Sequence, residues 1–328
     1  MAGCPNVRTR LLAHLEACRP DTIFYAGTVG IGGALLTRPD AGFGTLLLAW
    51  LVPTLVWIAA LYGGDYFDRD LDALTKPHRP VPSGRIAART ARTAMIALIV
   101  AGGLLAVLAN PLTVVLAAVA TVFGIGYARW LKGHGLWGNL VRGLPTALTL
   151  LYGSMLVQPL PAVQLLGLAV AFWVHDAASN LLGALCDRDG DRRGGYLTYP
   201  VQRGDDATVR ALGGLYAGWV LLAVTWPALA PDRIDPLAYY LPLAVAMALA
   251  GASQLMVAAA ARPIARAIGL RAHEVIVVER IVLGCAPIAA ATRADIALWL
   301  GAPSLAATVL ARRLMRTRYE PADHRPAG

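Results

Sequence analysis

Charge is scarce in this chain. Asp, Glu, Lys and Arg together make up 15% of its 328 residues, against roughly 25% in a soluble domain. With 57% hydrophobic residues, that shortage excludes an ordinary water-soluble globule. Cysteine is scarce as well. Cys4, Cys18, Cys186 and Cys285 form no CxxC or Cys/His metal spacing, so neither zinc nor a disulfide framework is expected. Acids are outnumbered by bases, 20 to 29, for a formal net charge of +9. Among long apolar runs such a surplus marks cytoplasmic loops, so no nucleic-acid partner is expected. Residues 1–20 do not read as a secretory signal. Val7 to Arg19 mix Arg, His and Glu with Leu, which predicts an amphipathic segment lying on a membrane surface.

What the chain has in abundance is apolar runs of membrane length. They fall near 22–37, 43–63, 93–109, 112–130, 138–157, 163–184, 208–230, 237–261, 274–292 and 294–311. Turn signals separate several of them: Asn110-Pro111, Gln158 to Pro161, and Pro231 to Pro236. Pro287 and Thr292 to Asp295 interrupt the last two. The expected architecture is all-α: one polytopic membrane domain over 1–328, with about nine spans or ten. Basic loops (1–19, 65–92, 129–136, 187–210, 262–271) alternate with short loops poor in Lys and Arg. The basic tail 312–328 continues the first set. The positive-inside rule then puts the N-terminus and the loops 65–92 and 187–210 in the cytoplasm.

Two of those basic loops are also acidic. The first contains Asp65, Asp68, Asp70 and Asp72, followed by Lys76-Pro77-His78-Arg79-Pro80. The second runs Asp187-Arg188-Asp189-Gly190-Asp191-Arg192-Arg193. Asp68 and Asp72 stand four apart, as do Asp187 and Asp191, which stacks each pair on one helical face. Asp65 joins the first face at the i, i+3, i+7 spacing. The two pairs are offset by a constant interval along the chain, as in a two-fold repeat that faces both pairs over one cavity. Facing carboxylates suit Mg²⁺, a hard cation that takes carboxylate and phosphate oxygens together. In a membrane, that combination points to a lipid carrying a diphosphate.

Gly64 to Asp72 with Lys76 to Gly84 resembles the first motif of the UbiA superfamily of intramembrane prenyltransferases, and Asp187 with Asp191 resembles the second. Tyr127 to Asn139 is similar to the segment between them. The resemblance covers roughly residues 19–260. It implies about nine transmembrane helices around a lipid-open central cavity with a cytoplasmic cap. It also implies Mg²⁺-dependent transfer of a prenyl group from a prenyl diphosphate to an aromatic or other lipophilic acceptor. Asp68, Asp72, Asp187 and Asp191 are the expected catalytic carboxylates, and with Asp65 the expected metal ligands. Three positions depart from the pattern: Gly64 stands for Asn, Asn180 for Asp and Gly183 for Tyr. These departures keep a second activity open, cyclisation of the prenyl diphosphate without an acceptor.

Further candidates are polar residues near or inside the apolar runs. Lys76, Arg79 and Lys132 are expected to meet phosphate, with Arg129 as a weaker case. Arg142, one turn after Asn139, sits where a charge is costly unless it faces a polar cavity. Asp176, Asn180, Gly183, Asp187 and Asp191 would form one stripe along a continuous helix. Asn139, Arg142, Asp176 and Asn180 are therefore expected to bind substrate. His175 and Asp176 are candidate bases, and Tyr62, Tyr66, Tyr127, Tyr152 and Trp173 are candidate π-faces for a cation. Glu279 and Arg280 are expected to form an internal ion pair.

Overall fold

The computed structural model describes residues 7–230 and 234–319. Cys4, Pro231 to Arg233 of one turn, and the end of the basic tail lie outside the described residues. Helices form and no strand does among those residues, apart from one backbone bridge between Gly135 and Thr198. The helices are α1 (Val7–Cys18), α2 (Phe24–Thr37), α3 (Phe43–Phe67), α4 (Arg69–Thr75), α5 (Ala88–Ala109) and α6 (Thr113–Gly126). A π-turn, Tyr127–Leu131, ends α6. There follow α7 (Gly135–Met155), α8 (Leu166–Arg193), α9 (Tyr199–Thr225), α10 (Pro236–Ala258), α11 (Arg266–Ala290) and α12 (Ala294–Tyr319).

Each of the ten apolar runs becomes a helix, and α1 and α4 are the two extra ones. Seven helices of the described residues are long and apolar enough to cross a membrane: α3, α5, α6 with its π-turn, α8, α9, α10 and α12. The apolar α2 has only 14 residues. The 21-residue α7 and 25-residue α11 have spanning length, but Arg142 and Glu279-Arg280 interrupt their apolar character. Chain ends of helices follow local chemistry. Pro236 opens α10, and the Asp235 carboxylate accepts from the Ala238 N–H at 3.0 Å, an N-cap. Asn110 stops α5, accepting from the Leu112 N–H at 3.0 Å and donating to the Met155 carbonyl at 2.8 Å.

α8 is the central helix. Two thirds of its apolar window, 67%, is buried, against 17–33% for the other six spanning helices. It packs on α7, α9 and α11. Glycine sets two of the close approaches. A Cβ on Gly143 would lie 2.5 Å from the Trp173 carbonyl oxygen, so only glycine lets α7 meet α8 there. A Cβ on Gly153 would lie 1.9 Å from the Gly30 carbonyl oxygen, which does the same for α7 and α2.

The loops sort to two ends. At one end Lys76 reaches Asp187, the Gly135 N–H donates to the Leu197 carbonyl at 3.1 Å, and Arg262 reaches Asp206 at 2.9 Å. All the internal basic loops thus meet in one layer. At the other end Asn110 meets Met155, Arg293 donates to the Pro39 carbonyl at 3.1 Å, and the Asp235 N–H donates to the Ala290 carbonyl at 2.8 Å. The isolated exposed apolar side chains of α5, Ile96, Val100, Leu104 and Leu108, share one outward face, as lipid contact requires.

Candidate active site

The first acidic motif sits on a helix break. α3 ends at Phe67 and α4 begins at Arg69, with Asp68 between them. Backbone hydrogen bonding nevertheless runs through, from the Asp68 N–H to the Gly64 carbonyl at 2.8 Å and from the Asp72 N–H to the Asp68 carbonyl at 2.7 Å. The break points the three carboxylates at three different cations. Asp65, 1% exposed, lies 3.1 Å from Arg19 at the end of α1. Asp68 lies 3.2 Å from Lys132. Asp72 takes two hydrogen bonds from Arg79, at 3.1 and 2.9 Å. Asp65 thus meets Arg19, which itself stands on the wall of the cavity described below.

The second motif lies on unbroken helix. α8 runs through Asp187 and Asp191 to Arg193, so the stripe from Asp176 to Asp191 forms as the spacing requires. Lys76 donates to both oxygens of Asp187, at 2.8 and 2.9 Å. Lys132 lies 3.4 Å from Asp191. One ammonium thus touches Asp68 of the first motif and Asp191 of the second. Burial alone would push the Lys132 pKa down, but Asp68 and Asp191 outweigh it and hold the ammonium charged above the usual lysine range. The ring of Tyr196 adds a cation–π contact, 5.0 Å from Lys132 Nζ.

These groups face a cavity of about 320 Å³ whose wall includes Asp68, Asp187 and Asp191, with Arg79, Lys132 and Tyr127. Deeper in the same wall stand Arg142, Asp176, Asn180 and Gly183. Asp72, Lys76 and Asn139 lie behind it. Asp72 braces Arg79, Lys76 braces Asp187, and the Asn139 and Asn180 amides meet at 2.8 Å. Gly64 and Gly183 leave room. A Cβ on Gly64 would meet nothing within 4 Å, and one on Gly183 only His273 at 3.9 Å. A smaller apolar cavity of about 50 Å³ adjoins, sharing Trp57, Ala60, Gly124 and Arg142 with the first.

The donor set fits a hard divalent cation. Asp68 Oδ1 and Asp191 Oδ2 are buried without a hydrogen-bond partner, leaving carboxylate oxygens for a cation to satisfy. Among the described residues no three Asp, Glu, His or Cys side chains close on one point. Such a site would need oxygens from a bound phosphate to complete it, the usual arrangement for Mg²⁺.

Other candidates separate. His175 is wholly buried, 2.7 Å from Glu279 Oε2 and edge-on to Trp219, and does not reach the cavity. That removes it as a base acting on substrate. Glu279 and Arg280 do not pair with each other: Glu279 takes His175, and Arg280 takes Asp176. Tyr127 lines the main cavity and Tyr152 the smaller one. Trp173 donates to the Leu140 carbonyl, Tyr62 meets His14, and Arg129 lies over Phe67. Sequence reasoning passed over Arg19, Trp57, Ser179 and Arg312, all on the cavity wall. Arg19 and Arg312 stand beyond the apolar runs, and nothing in their spacing marked them.

A membrane-embedded helical bundle in which one lysine joins two acidic motifs, above a cavity, has the build of an intramembrane enzyme. The model of the UbiA prenyltransferase family matches residues 25–275, and the chain belongs to that family. It is similar to the digeranylgeranylglyceryl phosphate synthase of Korarchaeum cryptofilum, 36% identical over 60% of this chain and 69% of the relative. It is similar to the synthase of the same name from Ignicoccus hospitalis, 32% identical over 65% of this chain and 72% of the relative. Its fold matches a UbiA homolog from Archaeoglobus fulgidus bound to DMAPP and Mg²⁺, with a TM-score of 0.64 at 16% identity, over 82% of this chain and 98% of that one.

Proposed function

We propose that this chain transfers a prenyl group from a prenyl diphosphate to a lipophilic acceptor, with Mg²⁺, inside the membrane. The observation that carries the reading is Lys132 standing between Asp68 and Asp191, with one buried oxygen of each carboxylate left over. Asp68, Asp187 and Asp191 would hold the metal. Mg²⁺ bound there supplies Lewis-acid neutralisation of charge on the departing diphosphate. Lys132 and Arg79 face the same space and bind phosphate oxygens; Lys76 and Asp72 keep Asp187 and Arg79 in place. As the allylic C–O bond breaks, positive charge builds on carbon, where the ring of Tyr127 offers a π-face. Burial between α3, α6, α7 and α8 keeps water away from that carbon. The acceptor's nucleophile forms the new bond and then loses its proton. The relatives' names make a glyceryl phosphate lipid the first acceptor to try.

The test uses purified protein, prenyl diphosphates of several lengths and Mg²⁺, with and without acceptor. Prenylated acceptor should form only with both substrates, stop in chelator and return with excess Mg²⁺ or Mn²⁺. Full turnover in chelator would remove the metal role. A cyclic hydrocarbon or terpene alcohol formed without acceptor would replace this reading by a terpene cyclase.

The gathering of the internal basic loops at one end supports placing that end, with both acidic motifs, in the cytoplasm. Ser83 is exposed there. In a background without the native cysteines, Ser83→Cys should react with an impermeant thiol reagent from the cytoplasmic side alone. Labelling from outside intact cells would invert the topology.

A further inference from the structure

Below the acidic motifs, the cavity wall carries a second polar cluster. It comprises Arg142 of α7, Arg280 of α11, and Asp176 and Ser179 of α8. Asp176 precedes Asp187 by eleven residues on one helix, which sets the cluster roughly 16 Å deeper. The ion pairs of both arginines go to Asp176. Arg280 takes its Oδ1, and Arg142 Nη1 lies 4.0 Å from its Oδ2. That Oδ2 already accepts from the Thr146 hydroxyl at 2.9 Å. Glu279 faces away, 2.7 Å from His175 and off the cavity wall.

Two guanidiniums therefore share one carboxylate on the cavity wall. An uncompensated charge there is costly until an anion meets it. Two donors also stand idle: Arg280 Nε and the Ser179 hydroxyl are buried without hydrogen-bond partners. Aromatic rings hold the guanidiniums in place, Trp57 at 4.7 Å from Arg142 Cζ and Tyr25 at 5.3 Å from Arg280 Cζ. A planar guanidinium with a spare N–H suits an oxyanion better than a neutral group. Resting on the transferase reading, we infer that Arg142, Arg280 and Ser179 bind an oxyanion head group of the acceptor, a phosphate monoester or a carboxylate. The two substrates then anchor by their anions at opposite ends of one cavity, with the reacting carbon and nucleophile between them.

Acceptor preference tests this directly. A monoprenylated glyceryl phosphate ether lipid and a hydroxybenzoate are each compared with their uncharged counterparts, the free alcohol and the methyl ester. At saturating prenyl diphosphate, wild type should favour the charged form of one pair by about 30-fold or more in kcat/KM, and which pair does so separates phosphate from carboxylate. Arg142→Gln and Ser179→Ala should each raise the KM for that acceptor about tenfold, leaving the prenyl diphosphate KM within about twofold. Equal use of charged and neutral acceptors by wild type overturns the inference, as does a parallel rise in both KM values. If Arg142→Gln fails to fold, the wild-type preference decides. If no acceptor is prenylated, the transferase reading fails by itself. Calorimetric titration of wild type with the same four compounds then decides the inference, and binding without charge preference overturns it.

Discussion

The two acidic motifs have the same four-residue spacing and different surroundings. The first straddles a helix break, and the second rides a helix that continues past it. At the break the carboxylates scatter: Asp65 to Arg19, Asp68 to Lys132, Asp72 to Arg79. On the continuous helix Asp187 and Asp191 stay together on the cavity wall. Their cations come from elsewhere, Lys76 from the segment after α4 and Lys132 from the segment after α6. Equal spacing therefore does not mean equal role. These charges divide into those that face the cavity and those that hold others there.

The largest effects should come from the cavity-facing acids. Asp68→Ala and Asp187→Ala should each cut kcat by about a thousandfold or more, the scale of losing a charge-stabilising group in a dry site. Rates on protein shown to be membrane-inserted check this, and near wild-type turnover by Asp68→Ala would dissolve the site.

A smaller effect separates the second acids of the two motifs. Asp191→Asn should lower kcat about a hundredfold, whereas Asp72→Asn should lower it only about tenfold. Asp72→Asn should instead show in stability. It strips the charge from a buried pair, Asp72 with 4% and Arg79 with 9% of the side chain exposed, and such losses run to about 3–5 kcal/mol. Thermal unfolding in detergent alongside kinetics tests the division, and equal kinetic losses with equal melting shifts would erase it.

The smallest effect tests the break itself. Gly64 departs from the family pattern, but its Cβ position is open. Gly64→Asn should change kcat/KM by no more than about twofold. A large gain would mean that an amide at this position belongs to the metal site after all.

Much of the site was legible because it is linear. The stripe from Asp176 to Asp191 needed only a helix without interruption, and Leu166–Arg193 is one. The ten apolar runs became helices because burying a backbone in lipid leaves few alternatives. The cation that each acid of the first motif meets was not legible, because Arg19, Lys132 and Arg79 come from separate segments of the chain. Arg280 was noticed but mispaired, since its neighbour in sequence, Glu279, is not its neighbour in space.

By itself the sequence determined the class of architecture, the two acidic motifs and the split between basic and uncharged loops. Composition and spacing act locally, and a helix in a membrane has little freedom to contradict them. Only the tertiary structure decided which carboxylate meets which cation, that Lys132 joins the two motifs, and that Arg142 and Arg280 converge on Asp176. Those are encounters between helices far apart in the chain. They depend on close approaches such as Gly143 against Trp173, which set distances that no spacing along one helix encodes.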